Sequence, residues 1–114
     1  MEIRQTKKNW ELLIIDNYST DNSNEVISSY NDSRIRVFKI KNEGIIAKSR
    51  NLGIKNAQAK WIAFLDSDDI WYFNKLSRLI ELTDDNFDII CSNEYRHDLE
   101  EGIRKPLYYN LKSN

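Results

Sequence analysis

Two short apolar runs that each end in aspartate constrain this chain more than any other feature. Residues 11–16 read ELLIID, and residues 61–65 read WIAFL before Asp66-Ser67-Asp68-Asp69. Nearly unbroken apolar runs of this length are the pattern of strands covered on both faces. The three carboxylates after the second run repel one another unless a cation or a hydrogen-bond network compensates them. A hard divalent ion such as Mg²⁺ or Mn²⁺ takes oxygen ligands, commonly one or two carboxylates together with substrate phosphates. A solvated acidic turn that caps the next helix accounts for the local run equally well. An EF-hand does not fit, because its sixth loop position needs Gly and counting from Asp66 puts Trp71 there.

The rest of the chain alternates. Residues 1–8 read as the tail of a helix and residues 11–16 as the first strand. A loop over 17–20 leads to a helix that Asp21 or Ser23 caps and that runs to about Tyr30. Residues 34–40 (RIRVFKI) alternate as a strand, and Asn42-Glu43-Gly44 breaks the chain. A helix then extends to about Gln58, with Ile46, Ser49, Gly53 and Ala57 near one face. The strand 61–65 follows, then a helix near 74–82 with Leu76, Leu79 and Ile80 at core spacing. Residues 88–92 form a further strand, and Leu107-Tyr108-Tyr109 is a candidate for one more. Strands alternating with helices predict one α/β domain built on a mostly parallel sheet.

Composition sets limits where the pattern does not. The 114 residues are 40% hydrophobic and carry a net charge of −1, so the chain can build a core and has no case as a bulk nucleic-acid binder. Residues 1–57 hold ten Lys/Arg against seven Asp/Glu, whereas residues 58–114 hold seven against eleven. A basic half suits phosphates and an acidic half suits a cation; solvated faces give the same counts. The lone cysteine, Cys91, sits in an apolar run and is expected in the core. There is no Cys/His cluster for zinc, no signal-peptide pattern and no apolar stretch of about 18 residues. The two glycosylation sequons, at Asn17 and Asn31, are therefore expected to be chance matches, and the cytosol is the expected compartment.

In an open parallel sheet, ligands bind outside the carboxyl ends of the strands. Asp16 ends the first strand, and Asp66, Asp68 and Asp69 follow the third. Both groups are expected on one rim. With only three glycines, the chain has no Gly-rich phosphate loop.

Three segments carry a resemblance. Residues 9–21 (NWELLIIDNYSTD), then Asn42-Glu43-Gly44 with residues 49–54 (SRNLGI), then residues 61–71 (WIAFLDSDDIW), resemble in order and spacing the family 2 glycosyltransferases of the Rossmann-like GT-A fold. The resemblance covers roughly residues 7–80. It implies an inverting, metal-dependent transferase that moves a sugar from a nucleotide-diphosphate donor to a hydroxyl of a saccharide or lipid-linked saccharide acceptor. It implies that Asp16 and Asn17 contact the base. It places Asp66, Ser67 and Asp68 at the ribose and metal, with Asp69 a further metal ligand. Mn²⁺ or Mg²⁺ is the implied cofactor. Arg50 is a candidate for the diphosphate, because guanidinium pairs well with phosphate oxygens. A helix-surface charge is the plainer reading of Arg50, and Lys48 is a weaker candidate.

The sequence also departs from the family. Asn17 stands where a second acid is usual, and Phe73 where Pro is common. The family has a strand and helix before the first segment and an acceptor half with the general base after the last. The chain is therefore expected to be a piece truncated at both ends, inactive alone and prone to self-associate. Glu94, His97 and Asp98 follow the last clear strand, and none is named as the base. Trp10, Trp61 and Trp71 are expected to pack, with Trp71 the best placed for a ligand. Two other readings stand beside this one. One is a non-catalytic remnant; the other is a phospho-receiver module, which also has acids at strand ends and a late Lys105-Pro106, but has no counterpart of Asn51-Leu52-Gly53. Bacterial polysaccharide synthesis is the expected setting, with peripheral association at the inner face of a membrane.

Overall fold

The computed structural model describes residues 4–83, 87–97 and 104–107. Strand β1 (Leu12–Asp16) leads through α1 (Ser23–Ser29) to β2 (Ile35–Lys39). Then come α2 (Ile46–Asn56), α3 (Lys75–Ile80), β3 (Glu94–His97) and β4 (Arg104–Leu107). The β-rich composition of LLIID and IRVFK favours extended chain. The two strands pair in parallel with Leu12 opposite Ile35 and Asp16 opposite Lys39. A parallel pair needs a crossover, and α1 supplies it.

Helix α2 returns against β1. Its Gly53 faces Ile15: a Cβ there would lie 3.7 Å from Ile15 Cγ1, an ordinary van der Waals distance, so the helix rests on the strand without requiring glycine. At the foot of the sheet, Glu11 fastens three elements. Its Oε1 accepts the backbone N–H groups of Gln58 (2.6 Å) and Ala59 (3.1 Å), just past α2. Its Oε2 accepts Arg36 Nη2 at 2.8 Å, and the same nitrogen donates to the carbonyl of Asn56. Those backbone donors hold the Glu11 carboxyl below its ordinary value. Nearby, the Arg34 guanidinium lies 3.7 Å from the centroid of the Trp10 ring, so Trp10 packs as expected.

Several expected elements form differently. Residues 4–8 are not helical. Gln5, only 2% exposed, instead serves α3: Nε2 donates to the Tyr72 carbonyl (2.8 Å) and Oε1 accepts Leu76 N–H (3.0 Å). This caps from a distance a helix whose own N-cap residue, Asn74, makes no side-chain cap. At α1, the Asp21 carboxylate accepts Ser23 N–H at 3.0 Å, while Asn22 holds the N-cap position.

Residues 61–65 and 88–92 are not strands. A strand exists only with a hydrogen-bonded neighbour, and no described segment pairs with either run. Ile62 and Phe64 are consequently exposed, as is Ile89. Cys91 is exposed too, not in a core, because its run has no sheet to join. Among the described residues no hydrophobic side chain is fully buried. On α2, Ile46 is 65% exposed, so it does not share the packed face with Gly53.

The pair β3–β4 is antiparallel, with Tyr95 opposite Pro106 and His97 opposite Arg104. Neither strand has the apolar period that marks one from sequence. Leu107 ends β4, and Tyr108 and Tyr109 lie outside the described residues, as does Asp98.

Candidate functional site

Asp16 is the last residue of β1 and, with Gln5, one of the two buried residues among those described. Its side chain is 4% exposed. Oδ1 accepts both the Ser19 N–H (3.0 Å) and the Ser19 hydroxyl (2.5 Å), which closes the turn after the strand. Oδ2 is buried with no hydrogen-bond partner, and Lys39 Nζ stands 4.0 Å away. The Ser19 hydroxyl and N–H hold the carboxyl below its ordinary value against the opposing effect of burial, with Lys39 adding to them. Asp16 is thus an ionised acceptor with one oxygen committed and one available.

The next residue extends the rim. Asn17 Oδ1 accepts Asn42 N–H at 2.9 Å. Asn42 donates through Nδ2 to the Ser49 hydroxyl (2.9 Å) and accepts Gly44 N–H (3.0 Å). Glu43 and Gly44 are both left-handed, with φ of +56° and +77°, so the chain doubles back into α2 at this point. Lys48 pairs with Glu43, which makes it part of this loop's scaffold.

The acidic turn joins the same helix. Arg50 Nη2 lies 3.0 Å from Asp66 Oδ1 and 3.3 Å from Oδ2. Arg50 also stands 5.4 Å from the Phe64 ring centroid. The turn is closed by Asp69 N–H on the Asp66 carbonyl at 3.1 Å. Ser67, Asp68 and Asp69 are exposed. Adjacent residues of α2, Ser49 and Arg50, therefore anchor two loops. Ser49 holds Asn42 in the loop after β2, which in turn meets Asn17 after β1, and Arg50 holds the turn after the 61–65 run. Asp16, Asn17, Arg50 and Asp66 are linked through one helix.

Among the described residues, no three His, Cys, Asp or Glu side chains are grouped as metal ligands. What the turn offers is narrower: hard oxygen donors on Asp68 and Asp69, and Asp66 already compensated by Arg50. That donor set suits a divalent ion shared between one or two carboxylates and phosphate oxygens, the usual arrangement for Mg²⁺. Arg50, expected toward a diphosphate, is here the counter-charge of Asp66.

Reading the sequence missed Ser19, Lys39 and Asn42. Ser19 carried a signal, since Ser three residues after Asp is a common turn closure. Lys39 carried none, because its approach to Asp16 depends on strand register. Glu94 and His97 lie in β3. Trp71 meets Lys75, whose Nζ is 5.8 Å from its ring centroid.

The family model for glycosyl transferase family 2 matches residues 2–113. The chain is 48% identical over 99 residues to an uncharacterized glycosyltransferase of Rickettsia felis, covering 86% of this chain and 16% of that protein. It is 34% identical to glycosyltransferase GlyG of Streptococcus pneumoniae, over 88% of this chain and 34% of that one. It is 42% identical to the UDP-Glc:alpha-D-GlcNAc-diphosphoundecaprenol beta-1,3-glucosyltransferase WfgD of Escherichia coli, over 70% of this chain and 32% of that one. No solved structure matches at a significant level. The chain belongs to glycosyltransferase family 2 and has that family's Rossmann-like GT-A α/β architecture. It spans between about a sixth and a third of the length of these relatives.

Proposed function

We propose that this chain forms the nucleotide-sugar half of a transferase site. That site passes a sugar, with inversion, from a nucleotide-diphosphate donor to a hydroxyl of a saccharide or lipid-linked saccharide. The observation that carries the reading is the unpartnered, buried Oδ2 of Asp16 at the end of β1. A buried charged oxygen without a donor is costly, and a ligand N–H such as that of a nucleobase relieves the cost. Asn17 stands beside it as a neutral second contact.

Asp68 and Asp69, with Asp66, are the residues that would hold a divalent ion, Mn²⁺ or Mg²⁺. When bound, such an ion supplies Lewis-acid neutralisation of the diphosphate leaving group. Arg50 then has two charge partners to choose between, Asp66 and the diphosphate, and its fork geometry suits both. The acceptor hydroxyl must pass its proton to a general base. No described residue on this rim is placed to be that base, since its carboxylates are committed to the donor side. One relative bears the name of a glucosyltransferase acting with UDP-Glc on a diphosphoundecaprenol-linked sugar. We extend that class of donor and acceptor, and a place at the inner face of the membrane, to this chain.

The test is equilibrium binding of UDP-, GDP- and dTDP-sugars with and without Mn²⁺ or Mg²⁺. One donor class should bind saturably, and more tightly with metal. Absence of binding by all three classes would leave the non-catalytic remnant as the better reading.

A further inference from the structure

We propose that Tyr18 is the platform on which the nucleotide's base stacks, a further binding residue beside Asp16; this rests on the nucleotide-sugar reading above. Tyr18 has φ of +55°, a left-handed conformation rare for a bulky side chain. Glycine would hold the same backbone without strain. Strained backbone persists where the surroundings over-determine it, and such residues gather at ligand-binding positions. Packing does not account for the ring, which is 52% exposed.

Its surroundings are those of a ligand rim. Lys39 Nζ stands 5.9 Å from the ring centroid and Lys41 Nζ 5.6 Å. Lys39 is also the ammonium 4.0 Å from the unpartnered Asp16 Oδ2. One rim thus holds a buried acceptor with nothing to accept, a half-exposed aromatic ring, and two cations beside that ring. A ligand complementary to all three has a planar ring, an N–H on its edge, and attached negative charge. A nucleoside diphosphate has these features, and base–aromatic stacking tolerates different bases while favouring larger faces.

The test uses the full chain and titrates UDP, GDP and dTDP by calorimetry against wild type, Y18F, Y18G and D16N. Y18F keeps the ring and should bind within about threefold of wild type. Y18G should bind about tenfold more weakly, the low-to-middle range of one lost stack. Because Gly relieves the left-handed backbone, Y18G should melt at the wild-type temperature or higher, so its weaker binding is not unfolding. Wild-type affinity in Y18G, alongside loss of binding in D16N, overturns the platform and leaves the nucleotide site standing. If wild type binds none of the three nucleotides, the nucleotide reading falls and the platform with it.

Discussion

Asp16→Asn separates ligand binding from folding at the centre of the site. The variant keeps Oδ1, so both Ser19 donors retain their acceptor. What changes is Oδ2, which becomes an NH₂ group. Folding loses the charge assistance of the two Ser19 hydrogen bonds, the chief stabiliser of the ionised form. The attraction of Lys39 at 4.0 Å is lost as well, and it is small because Lys39 is 48% exposed. An exposed-partner ion pair contributes at most about 1 kcal/mol. It also gains, because a neutral amide is cheaper to bury than an unpartnered carboxylate oxygen. The net stability change should be within about 1 kcal/mol. Binding changes more. A hydrogen bond to a charged acceptor contributes about 1.5–3 kcal/mol, and the new NH₂ faces a ligand N–H with another donor. The upper end of that range, about 100-fold in Kd, is expected. Calorimetric titration of the preferred nucleotide, with urea unfolding of the same samples, measures both quantities. A Kd within threefold of wild type, or a stability loss exceeding the affinity loss, would refute the reasoning.

Other consequences can be checked in parallel. Asp68→Ala and Asp69→Ala should remove the metal dependence of donor binding while changing stability by no more than about 0.5 kcal/mol, as exposed substitutions do; unfolding curves and Mn²⁺ titrations decide it. Gln5→Ala removes two hydrogen bonds from the start of α3. At about 1 kcal/mol each, it should destabilise by about 2 kcal/mol in urea. Hydrogen bonds from Arg34 hold Asp32 at about 2 against an ordinary 3.8. A carboxyl lowered by folding stabilises above its unfolded value, so this contribution should vanish as pH falls from 3.8 to about 2, and Asp32→Asn should flatten that part of the profile. Asp16 and Glu11 are shifted the same way and add to the acid loss. Finally, β1 pairs on one edge only among the described residues, and Ile62, Phe64 and Ile89 are exposed. The 114-residue chain alone should associate with rising concentration in sedimentation, because open edges and apolar surface recruit further chains.

The sequence made the parallel pair and its helices legible because each carries a local signal: an unbroken apolar run for the first strand, alternation for the second, capping residues and helical spacing for the helices. LLIID, IRVFK and the 46–56 helix need little beyond their own residues to be recognised. The runs 61–65 and 88–92 show the boundary of that method. Their composition is that of strands, but strand formation is a property of pairs, and composition cannot supply the neighbour. Cys91 was misplaced for the same reason. Gln5 illustrates the opposite case: a polar residue in a weak segment became the most buried residue described, because α3 lacked a cap of its own. At the site, Asp16 and the 66–69 turn could be picked out by charge at a run's end. The link from Asn17 through Asn42 to Ser49, and from Asp66 to Arg50, required the fold. Tyr18 was hidden altogether, since nothing in a side chain announces a left-handed φ.

The most direct measurement is a map of amide chemical shifts in the labelled full chain as a nucleotide diphosphate and Mg²⁺ are added. The account predicts saturable shifts confined to Asp16, Asn17, Tyr18 and Ser19, the loop from Lys41 to Arg50, and the turn at residues 66–69. Shifts centred instead on Asn9, Glu11 and Ala59 at the opposite end of the strands, or none at all, would contradict it.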